Sequence, residues 1–294
     1  MTDNSLTIGA DIGGTHITVA LVDLDKKSIV PGTTTRANVN SHGLASEIID
    51  VWSQAIASVK KGRNISTLSL AIPGPCDYKE GICLIKNQGK YENLYGLNIK
   101  ALLSEQLDIR PEDIIMINDA AAFLEGEVFG GAARGFENAI GITLGTGLGT
   151  CIFKDHNASN ADLWCMPFKA GIVEDYLSTR WFIGRYRELT GTDVGDVREL
   201  LSLVEIDGSV KLVFNEFGTN LADFLIAFLN ISPAEVVVIG GNIAKSFSYF
   251  NESLLQRLST MFPEIIIKTA LLGEEAALIG AASHWKHIDI SLKS

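Results

Sequence analysis

The first part of the chain contains short apolar segments rich in β-branched residues, each bounded by polar or turn-forming residues. Segments of this kind predict β-strands. A longer segment between them carries apolar residues at helical spacing, among them Ile48, Trp52 and Ile56, and predicts an amphipathic helix. The predicted order is two strands that form a hairpin, a third strand, a helix and a buried strand, over residues 6–11, 17–23, 29–37, 44–59 and 68–72.

A helix, a strand and a second helix complete the first half of the chain, over residues 97–107, 114–117 and 120–129. The order of patterns then begins again in the second half. A new hairpin, two helices, two strands and a closing helix follow, over residues 139–144, 150–153, 173–189, 211–229, 236–239, 265–267 and 274–285. Two units that each open with a hairpin indicate an internal duplication. We therefore expect two α/β domains, 1–118 and 119–282, with a ligand cleft between them and with the segment 283–294 packed on the first.

Composition limits the classes of function. The chain has 294 residues, 47% of them hydrophobic, enough to bury the cores of two domains. The net charge of −11 argues against a nucleic-acid partner, which needs clustered Lys and Arg. The four cysteines, Cys76, Cys83, Cys151 and Cys165, show no CxxC spacing, which predicts thiols in a reducing compartment and no zinc site. We find neither a signal peptide nor an apolar run of about 18 residues, so we expect a cytoplasmic protein without a membrane segment.

The turn of the first hairpin reads Asp11-Ile12-Gly13-Gly14-Thr15. Glycines at such a turn let backbone N–H groups approach a phosphate, and the threonine hydroxyl adds a donor. A carboxylate beside a phosphate needs a cation between them, so Asp11 is expected to hold Mg²⁺, directly or through water. The alternative, which this motif alone supports equally, is a tight hairpin in which Asp11 caps its own turn.

The second hairpin carries a matching turn, Gly145-Thr146-Gly147-Leu148-Gly149-Thr150. It departs from the GxGxxG dinucleotide pattern at its last position, and the chain contains no GxxxxGK[ST] phosphate-binding loop. Each glycine turn is a weak signal by itself. Two such turns in matching places of two half-repeats predict a site for a polyphosphate.

Asn118 and Asp119 end an apolar strand between the two turns. A carboxylate there can accept the proton of a hydroxyl that attacks a γ-phosphate, with Asn118 orienting that hydroxyl, as phosphotransferases require. The alternative is that Asp119 caps the following helix, and the local sequence alone favours it.

Gly240 and Gly241 follow a valine-rich strand. Glycines there allow close approach by an adenine, or they simply form the turn.

Taken in order, segments 11–15, 118–120, 145–150 and 236–241 resemble the sugar kinases of the ROK family (repressors, open reading frames and kinases) over nearly the whole chain. The resemblance implies an actin-like ATPase fold, with two RNase-H-like domains hinged about a cleft for sugar and ATP. It makes Asp119 the general base. It also implies phosphate contacts from Gly13, Gly14, Thr15, Gly145, Thr146 and Gly147, nucleotide contacts from Gly240 and Gly241, and sugar contacts from Gly74, Asn87, Asn118 and Asp119.

The chain departs from the family pattern after the second hairpin. Residues 161–165 stand where the family has Gly-Glu-Ile-Gly-His, and residues 171–178 stand where it has a cysteine-rich zinc loop. Glu174 is retained and Asp162 replaces a glutamate, so both are expected sugar contacts, although from local spacing alone each is a solvated carboxylate. Without zinc, we expect packing of Trp164, Phe168 and Ile172 to hold this loop. His16 replaces a lysine that is frequent in the family.

The preferred hypothesis is a glucokinase-like homodimer that uses ATP and Mg²⁺ to phosphorylate a hydroxyl of a hexose or an N-acetylhexosamine. The alternative is a non-catalytic, sugar-sensing regulator of the same family, for which we expect no DNA-binding domain ahead of Asp11. A kinase that acts on an acyl or other hydroxyl substrate would use the same glycine turns.

Overall fold

The computed structural model describes residues 5–60 and 62–291, with side chains up to residue 286. Gly135–Gly273 forms one compact unit, and the rest of the described chain forms the other. The first unit begins with eleven elements: β1 (Leu6–Ile12), β2 (His16–Asp23), β3 (Ser28–Ile29), β4 (Thr35–Asn38), α1 (Ala45–Lys60), β5 (Leu68–Ile72), β6 (Cys76–Asp77), β7 (Ile82–Cys83), α2 (Ile99–Leu107), β8 (Ile114–Asn118) and α3 (Asp119–Phe129).

The second unit contains seven strands and five helices. In chain order these are β9 (Ala139–Leu144), β10 (Leu148–Lys154), β11 (Asn157–Asn160), β12 (Pro167–Phe168), β13 (Gly171–Ile172), α4 (Val173–Tyr176), α5 (Thr179–Thr190), α6 (Val197–Ser202), α7 (Gly208–Ile231), β14 (Val236–Gly240), α8 (Asn251–Leu258) and β15 (Ile266–Thr269). The last helix, α9 (Ala276–Ser291), returns to the first unit.

The two main sheets have the same topology. The first has the strand order β3-β2-β1-β5-β8, with β4 also paired to β2, and the second has the order β11-β10-β9-β14-β15. In each sheet a hairpin is antiparallel and the next two strands run parallel to its first strand. This shared order agrees with the duplication that the hydrophobic pattern predicts.

Two predicted elements are interrupted. The strand predicted over 29–37 is divided into β3 and β4 by a turn that contains Gly32, whose φ of 74° is left-handed. The helix predicted over 173–189 is divided into α4 and α5, because Ser178 takes an extended conformation with φ −136° and ψ 168°. Both breaks involve backbone dihedrals that a hydrophobic pattern does not encode.

The boundary between the units lies later than the predicted 118/119 junction. Helix α3 belongs to the first unit because it packs closely against α9. A Cβ on Gly280 would overlap the carbonyl oxygen of Ala122, and one on Gly126 would overlap that of Ala276. Of the segment 283–294, expected on this unit, residues 283–291 lie in α9, and the last three lie outside the described residues.

Helix α7 corrects the expectation that no segment has the length and apolarity of a membrane span. By these two criteria α7 qualifies, but 61% of its most apolar stretch is buried within the protein. Its phenylalanines, including Phe214, Phe217, Phe224 and Phe228, are fully buried in the core of the second unit. The polar residues within α7 conceal this property in a search for continuous apolar runs.

Candidate active site

The carboxyl ends of three parallel strands place candidate residues at one edge of the first sheet. Asp11 of β1 pairs with Ala71 of β5, and Ile72 of β5 pairs with Asn118 of β8. Asp11, the start of the Pro73-Gly74 segment and Asn118 are therefore at the same level along their strands. Ligands bind preferentially at this end of parallel strands.

The first glycine turn joins β1 to β2. The Gly13 N–H donates to the carbonyl oxygen of His16 at 2.9 Å and closes the hairpin. The hydroxyl of the buried Tyr91 donates to the Gly13 carbonyl at 2.5 Å, and this hydrogen bond fixes the position of the turn. Gly14 is open: the nearest atom to the position of a Cβ there is Cδ of Lys90, 3.9 Å away. Thr15 is exposed, and its hydroxyl lies 3.3 Å from Nδ1 of His16.

Asp11 and Asp119 form an electrostatically coupled pair. Burial, followed by repulsion from Asp119, raises the pKa of Asp11 to about 7, although Arg36 opposes the shift. Arg36 lies across β2 from Asp11, because Thr18 pairs with both residues. Burial also raises the pKa of Asp119, while the Ala120 N–H and the positive charge of Lys90 oppose this shift.

The pair fits a divalent cation. Two partly buried carboxylates that repel each other are stabilised by a positive charge between them, and carboxylate oxygens are ligands that Mg²⁺ prefers alongside retained water. Among the side chains that the structure describes, no group of three or more His, Cys, Asp or Glu residues has the arrangement of a metal site. Two carboxylates would supply only part of the ligands of a Mg²⁺ ion. Water molecules and the oxygens of a bound phosphate would supply the others.

Asn118, and not Asp119, is the N-cap of α3. Its Oδ1 accepts hydrogen bonds from the N–H groups of Ala120 and Ala121, at 3.0 and 3.2 Å. The Asp119 carboxylate accepts from Ala120 at 2.9 Å, a contact within its own turn. The capping role that the sequence favoured for Asp119 is thus wrong, since the preceding residue performs it.

Gly74 approaches Asn118 through Tyr78. The Asn118 amide donates to the Tyr78 hydroxyl at 3.1 Å, and a Cβ on Gly74 would lie 2.6 Å from that hydroxyl oxygen. Glycine at position 74 therefore leaves space for this contact. Asn87 is exposed and has a left-handed φ of 57°. Three residues later, Lys90 reaches the first glycine turn, next to Tyr91.

The second glycine turn is fixed by α4 and α5. The Gly145 N–H donates to the Gly147 carbonyl at 3.0 Å, and the Gly145 carbonyl accepts from the N–H and the hydroxyl of Thr179, at 2.8 and 3.0 Å. Glu174 Oε2 accepts from the Leu148 N–H at 3.0 Å. A Cβ on Gly147 would lie 2.6 Å from the same carboxylate oxygen. Thr146 is exposed at the tip.

Glu174 and Asp162, the predicted sugar contacts of this unit, both have other partners. The second carboxylate oxygen of Glu174 accepts from the Arg180 guanidinium at 3.1 Å, so Glu174 joins the turn to α5. Asp162 is exposed, with a φ of 52°, and its carboxylate accepts from Asn160 Nδ2 at 2.8 Å. These contacts give Glu174 a supporting role that the sequence did not indicate.

The segment after the second hairpin is held by side chains and a short ladder. Strands β12 and β13 pair Phe168 with Gly171, and the Phe168 ring packs edge-on against Tyr176 with centroids 5.4 Å apart. Phe168 also contacts the core of the second unit. Trp164, expected to help, is 42% exposed and lies outside this packing.

Gly241, at a φ of 85°, lies against Leu144, where a Cβ would overlap the Leu144 carbonyl. Gly240 pairs with Thr143 beside it.

Lys90, Tyr78 and Tyr91 are the residues that sequence reasoning missed. All three lie between β5 and α2, in a stretch without hydrophobic periodicity. The glycines at 74, 81 and 89 were the available signal, because frequent glycines in such a segment often indicate backbone close to a ligand.

The chain is similar to known proteins over nearly its whole length. The chain is 23% identical to a glucokinase from Thermotoga maritima over 311 aligned positions, which cover 94% of this chain and 96% of that protein. It is 24% identical to an N-acetyl-D-glucosamine kinase from Pectobacterium atrosepticum, with coverage of 90% and 91%. A crystal structure of a ROK family glucokinase from Streptomyces griseus, in complex with glucose and AMPPNP, superimposes with a TM-score of 0.77 at 22% identity. The superposition covers 96% of this chain and 99% of that one.

The structural likeness confirms the predicted α/β, actin-like ATPase fold. The model of the ROK family matches residues 7–288, nearly the whole chain. With two sheets of equal topology, a glycine turn in each and a carboxylate pair at one sheet edge, the chain belongs to the ROK family.

Proposed function

We propose that this protein is an ATP-dependent kinase that phosphorylates a hydroxyl of a hexose or an N-acetylhexosamine. The carboxylates of Asp11 and Asp119, at one sheet edge next to a glycine turn, carry the proposal. Membership of the ROK family supports it, as do the names of relatives that act on glucose and on N-acetyl-D-glucosamine. The AMPPNP and glucose bound to the Streptomyces griseus protein support ATP and a sugar as the two substrates.

Asp119 is the proposed general base. Its carboxylate accepts the proton of the sugar hydroxyl as the hydroxyl oxygen forms a bond to the γ-phosphorus. The bond from the γ-phosphorus to the bridging oxygen breaks, and ADP leaves. Burial raises the pKa of Asp119 and makes it a stronger base, while the charge of Lys90 lowers its pKa and favours the ionised form. Asn118 holds the helix amides, so the base is free of the capping task.

The phosphates are proposed to lie on the glycine turns. Gly13, Gly14 and Thr15 are proposed phosphate contacts, as are Gly145, Thr146 and Gly147, and Gly240 and Gly241 are proposed nucleotide contacts. Asp11 would hold Mg²⁺, which neutralises phosphate charge when bound. Lys90, next to Gly14, would add a positive charge near the same turn.

The sugar is proposed to contact Gly74, Asn87, Asn118, Asp162 and Glu174. The Tyr78 hydroxyl supports the first group, because it fixes the amide of Asn118 beside Gly74. Asp162 accepts a hydrogen bond from Asn160, and Glu174 accepts from Leu148 and Arg180. To contact the sugar, either carboxylate would have to bind it in addition to these partners.

A coupled assay for ADP release tests the proposal. Glucose, mannose, fructose, allose, N-acetylglucosamine and N-acetylmannosamine are supplied singly with ATP and Mg²⁺. We expect sugar-dependent ADP release with at least one of them. Asp119→Asn should abolish it while the circular dichroism spectrum and melting temperature stay close to those of the parent protein. An unchanged rate in Asp119→Asn would remove the assignment of the base.

A non-catalytic sugar sensor is the second candidate, and the departure of residues 161–165 from the family pattern favours it. Isothermal titration with the same sugars, with and without ATP, separates the two. Sugar binding without any ADP release supports the sensor, whereas ADP release supports the kinase. The predicted homodimer and cytoplasmic location stay predictions, and sedimentation velocity tests the first of them.

A further inference from the structure

Two cysteines stand directly opposite each other in the short ladder of β6 and β7. The register pairs Cys76 with Cys83 and Asp77 with Ile82. The Leu84 N–H donates to the Pro75 carbonyl at 3.0 Å, so the neighbouring pair, Pro75 and Leu84, is the hydrogen-bonded one. Cys76 and Cys83 therefore occupy a non-hydrogen-bonded position, where side chains on one face approach most closely.

The backbone of Cys83 confirms this orientation. Its N–H donates to the Leu97 carbonyl at 3.0 Å, and its carbonyl accepts from the Gly96 N–H at 2.8 Å, both on the side away from β6. Opposite residues at non-hydrogen-bonded positions have Cα atoms about 4.5 Å apart. Disulfides join residues whose Cα atoms are roughly 4.4–6.8 Å apart. A bridge between these two cysteines thus fits the existing backbone.

The thiols also differ in their environment. Cys83 is fully buried, whereas Cys76 is partly exposed and gives a small oxidant access to the pair. A hydrogen bond from Cys76 lowers the pKa of the Cys83 thiol, and the same bond, together with burial, raises the pKa of Cys76. The neighbouring thiol therefore favours ionisation of one member of the pair, Cys83, and the thiolate is the reactive form.

We propose that Cys76 and Cys83 form a reversible dithiol–disulfide site that is oxidised by a peroxide. The thiolate sulfur attacks one peroxide oxygen, the oxygen–oxygen bond breaks, and a sulfenic acid forms as hydroxide or an alkoxide leaves, which takes up the proton that the solvent received when the thiolate formed. The second sulfur then bonds to the first and displaces hydroxide, which takes the remaining thiol proton and leaves as water. Two thiols are oxidised and one peroxide is reduced.

The bridge would connect two segments of the candidate sugar site, an effect that rests on the proposed function. Cys76 follows Gly74 by two residues and precedes Tyr78, the partner of Asn118. Cys83 precedes the segment that carries Asn87 and Lys90. Displacements of about 1 Å in a positioning group can cost up to about 100-fold in rate. Oxidation is therefore expected to lower kcat/KM for the sugar and to leave the KM for ATP less affected.

Thiol counting on the whole protein tests the chemistry without any need for activity. The protein is treated with hydrogen peroxide, alkylated with N-ethylmaleimide and analysed by intact mass and by peptide mapping. We expect two of the four thiols to be lost to a bridge between Cys76 and Cys83, and dithiothreitol to restore all four. Any of three results would overturn the proposal: four alkylated thiols after peroxide, oxidation of Cys76 or Cys83 to a sulfinic acid, or a bridge between two chains.

Cys165→Ser is the matched control, because Cys165 is an exposed cysteine of the second unit. This variant should still lose two thiols, whereas Cys76→Ser should lose none. If Cys165→Ser abolishes the loss, the assignment is wrong. Peptide mapping of the unaltered protein identifies the bridged pair even where a variant folds poorly. A bridge found in a protein without kinase activity would uphold this proposal and count against the proposed function alone.

Discussion

Three charged side chains, Asp11, Lys90 and Asp119, contribute to the electrostatics of the first glycine turn together with Arg36 and Glu274. Burial disfavours the ionised form of both carboxylates; Asp119 also raises the pKa of Asp11, and the positive charge of Lys90 lowers the pKa of Asp119. Lys90 is the cation that is near both Gly14 and Asp119. A residue from an irregular segment therefore influences both the phosphate end and the base of the candidate site.

Removal of the Lys90 charge should shift the pH dependence of kinase activity. Lys90 lowers the pKa of Asp119, so Lys90→Ala should raise that pKa and move the acid limb of kcat/KM to higher pH. We also expect kcat to fall by about 100-fold if the ammonium group contacts the transferred phosphoryl group. A pH–rate profile measures both effects.

Two further variants make this test specific. Lys90→Arg keeps the charge and should keep the position of the acid limb. Lys86→Ala is the control on the same segment, because the Lys86 ammonium group lies over the Tyr95 ring, 5.4 Å from its centroid. An acid limb that stays in place in Lys90→Ala contradicts the role of Lys90.

Glu174 allows a direct distinction between support of the second turn and contact with the sugar. Glu174→Ala removes the acceptor of the Leu148 N–H and the partner of Arg180. Hydrogen bonds to a charged group contribute about 1.5–3 kcal/mol, so the KM for ATP should rise by about 10-fold or more. Steady-state kinetics with each substrate varied in turn measure it. A rise confined to the KM for the sugar would instead establish Glu174 as a sugar contact.

Among the elements, α3 and α9 show how glycine positions a helix. Gly126 and Gly280 lie where the two helices approach each other, with carbonyl oxygens of the facing helix in the place of a Cβ. The sequence pattern predicted both helices but gave α3 to the second domain. Periodicity identifies a buried face without identifying what covers it, so the partner of α3 became known only from the fold.

The close approach of α3 and α9 predicts a large difference between two equivalent substitutions. Gly280→Ala should lower the free energy of unfolding by about 1–3 kcal/mol, since the added methyl group forces the helices apart. Gly184→Ala in α5 is the matched control, because nothing lies within 4 Å of the new methyl group. There the better helix propensity of alanine should stabilise the protein by up to about 1 kcal/mol. Thermal and urea unfolding of both variants measure the contrast, and equal effects would contradict the packing.

For the molecule as a whole, the carboxylate pair makes stability dependent on pH. The folded protein keeps the Asp11 proton up to its pKa of about 7, whereas the unfolded chain releases it near 3.8. Between these values the unfolded state binds fewer protons, so stability falls as pH rises from about 4 to about 7 and is constant above. Asp119, whose pKa is also raised, acts in the same direction.

Asp11→Asn should reduce this decline by on the order of 2 kcal/mol, because the amide does not titrate. Melting temperatures across the same pH range measure the effect. Mg²⁺ with a non-hydrolysable ATP analogue should raise the melting temperature of the parent protein at about pH 8, and less in Asp11→Asn. A decline of equal size in both proteins would show that Asp11 is not the titrating group.

The sequence by itself determined most of the longer strands and helices, their repetition in two units and the two glycine turns. Those features depend on neighbours a few residues apart, which periodicity and turn chemistry record. The tertiary structure decided that Asn118 caps α3, that Lys90 reaches Gly14, that Glu174 supports the second turn and that Cys76 faces Cys83. Each of these depends on strand register or on the path of an irregular segment, where residues distant in the chain meet. Local patterns do not record such meetings, because many registers and paths satisfy the same hydrophobic periodicity.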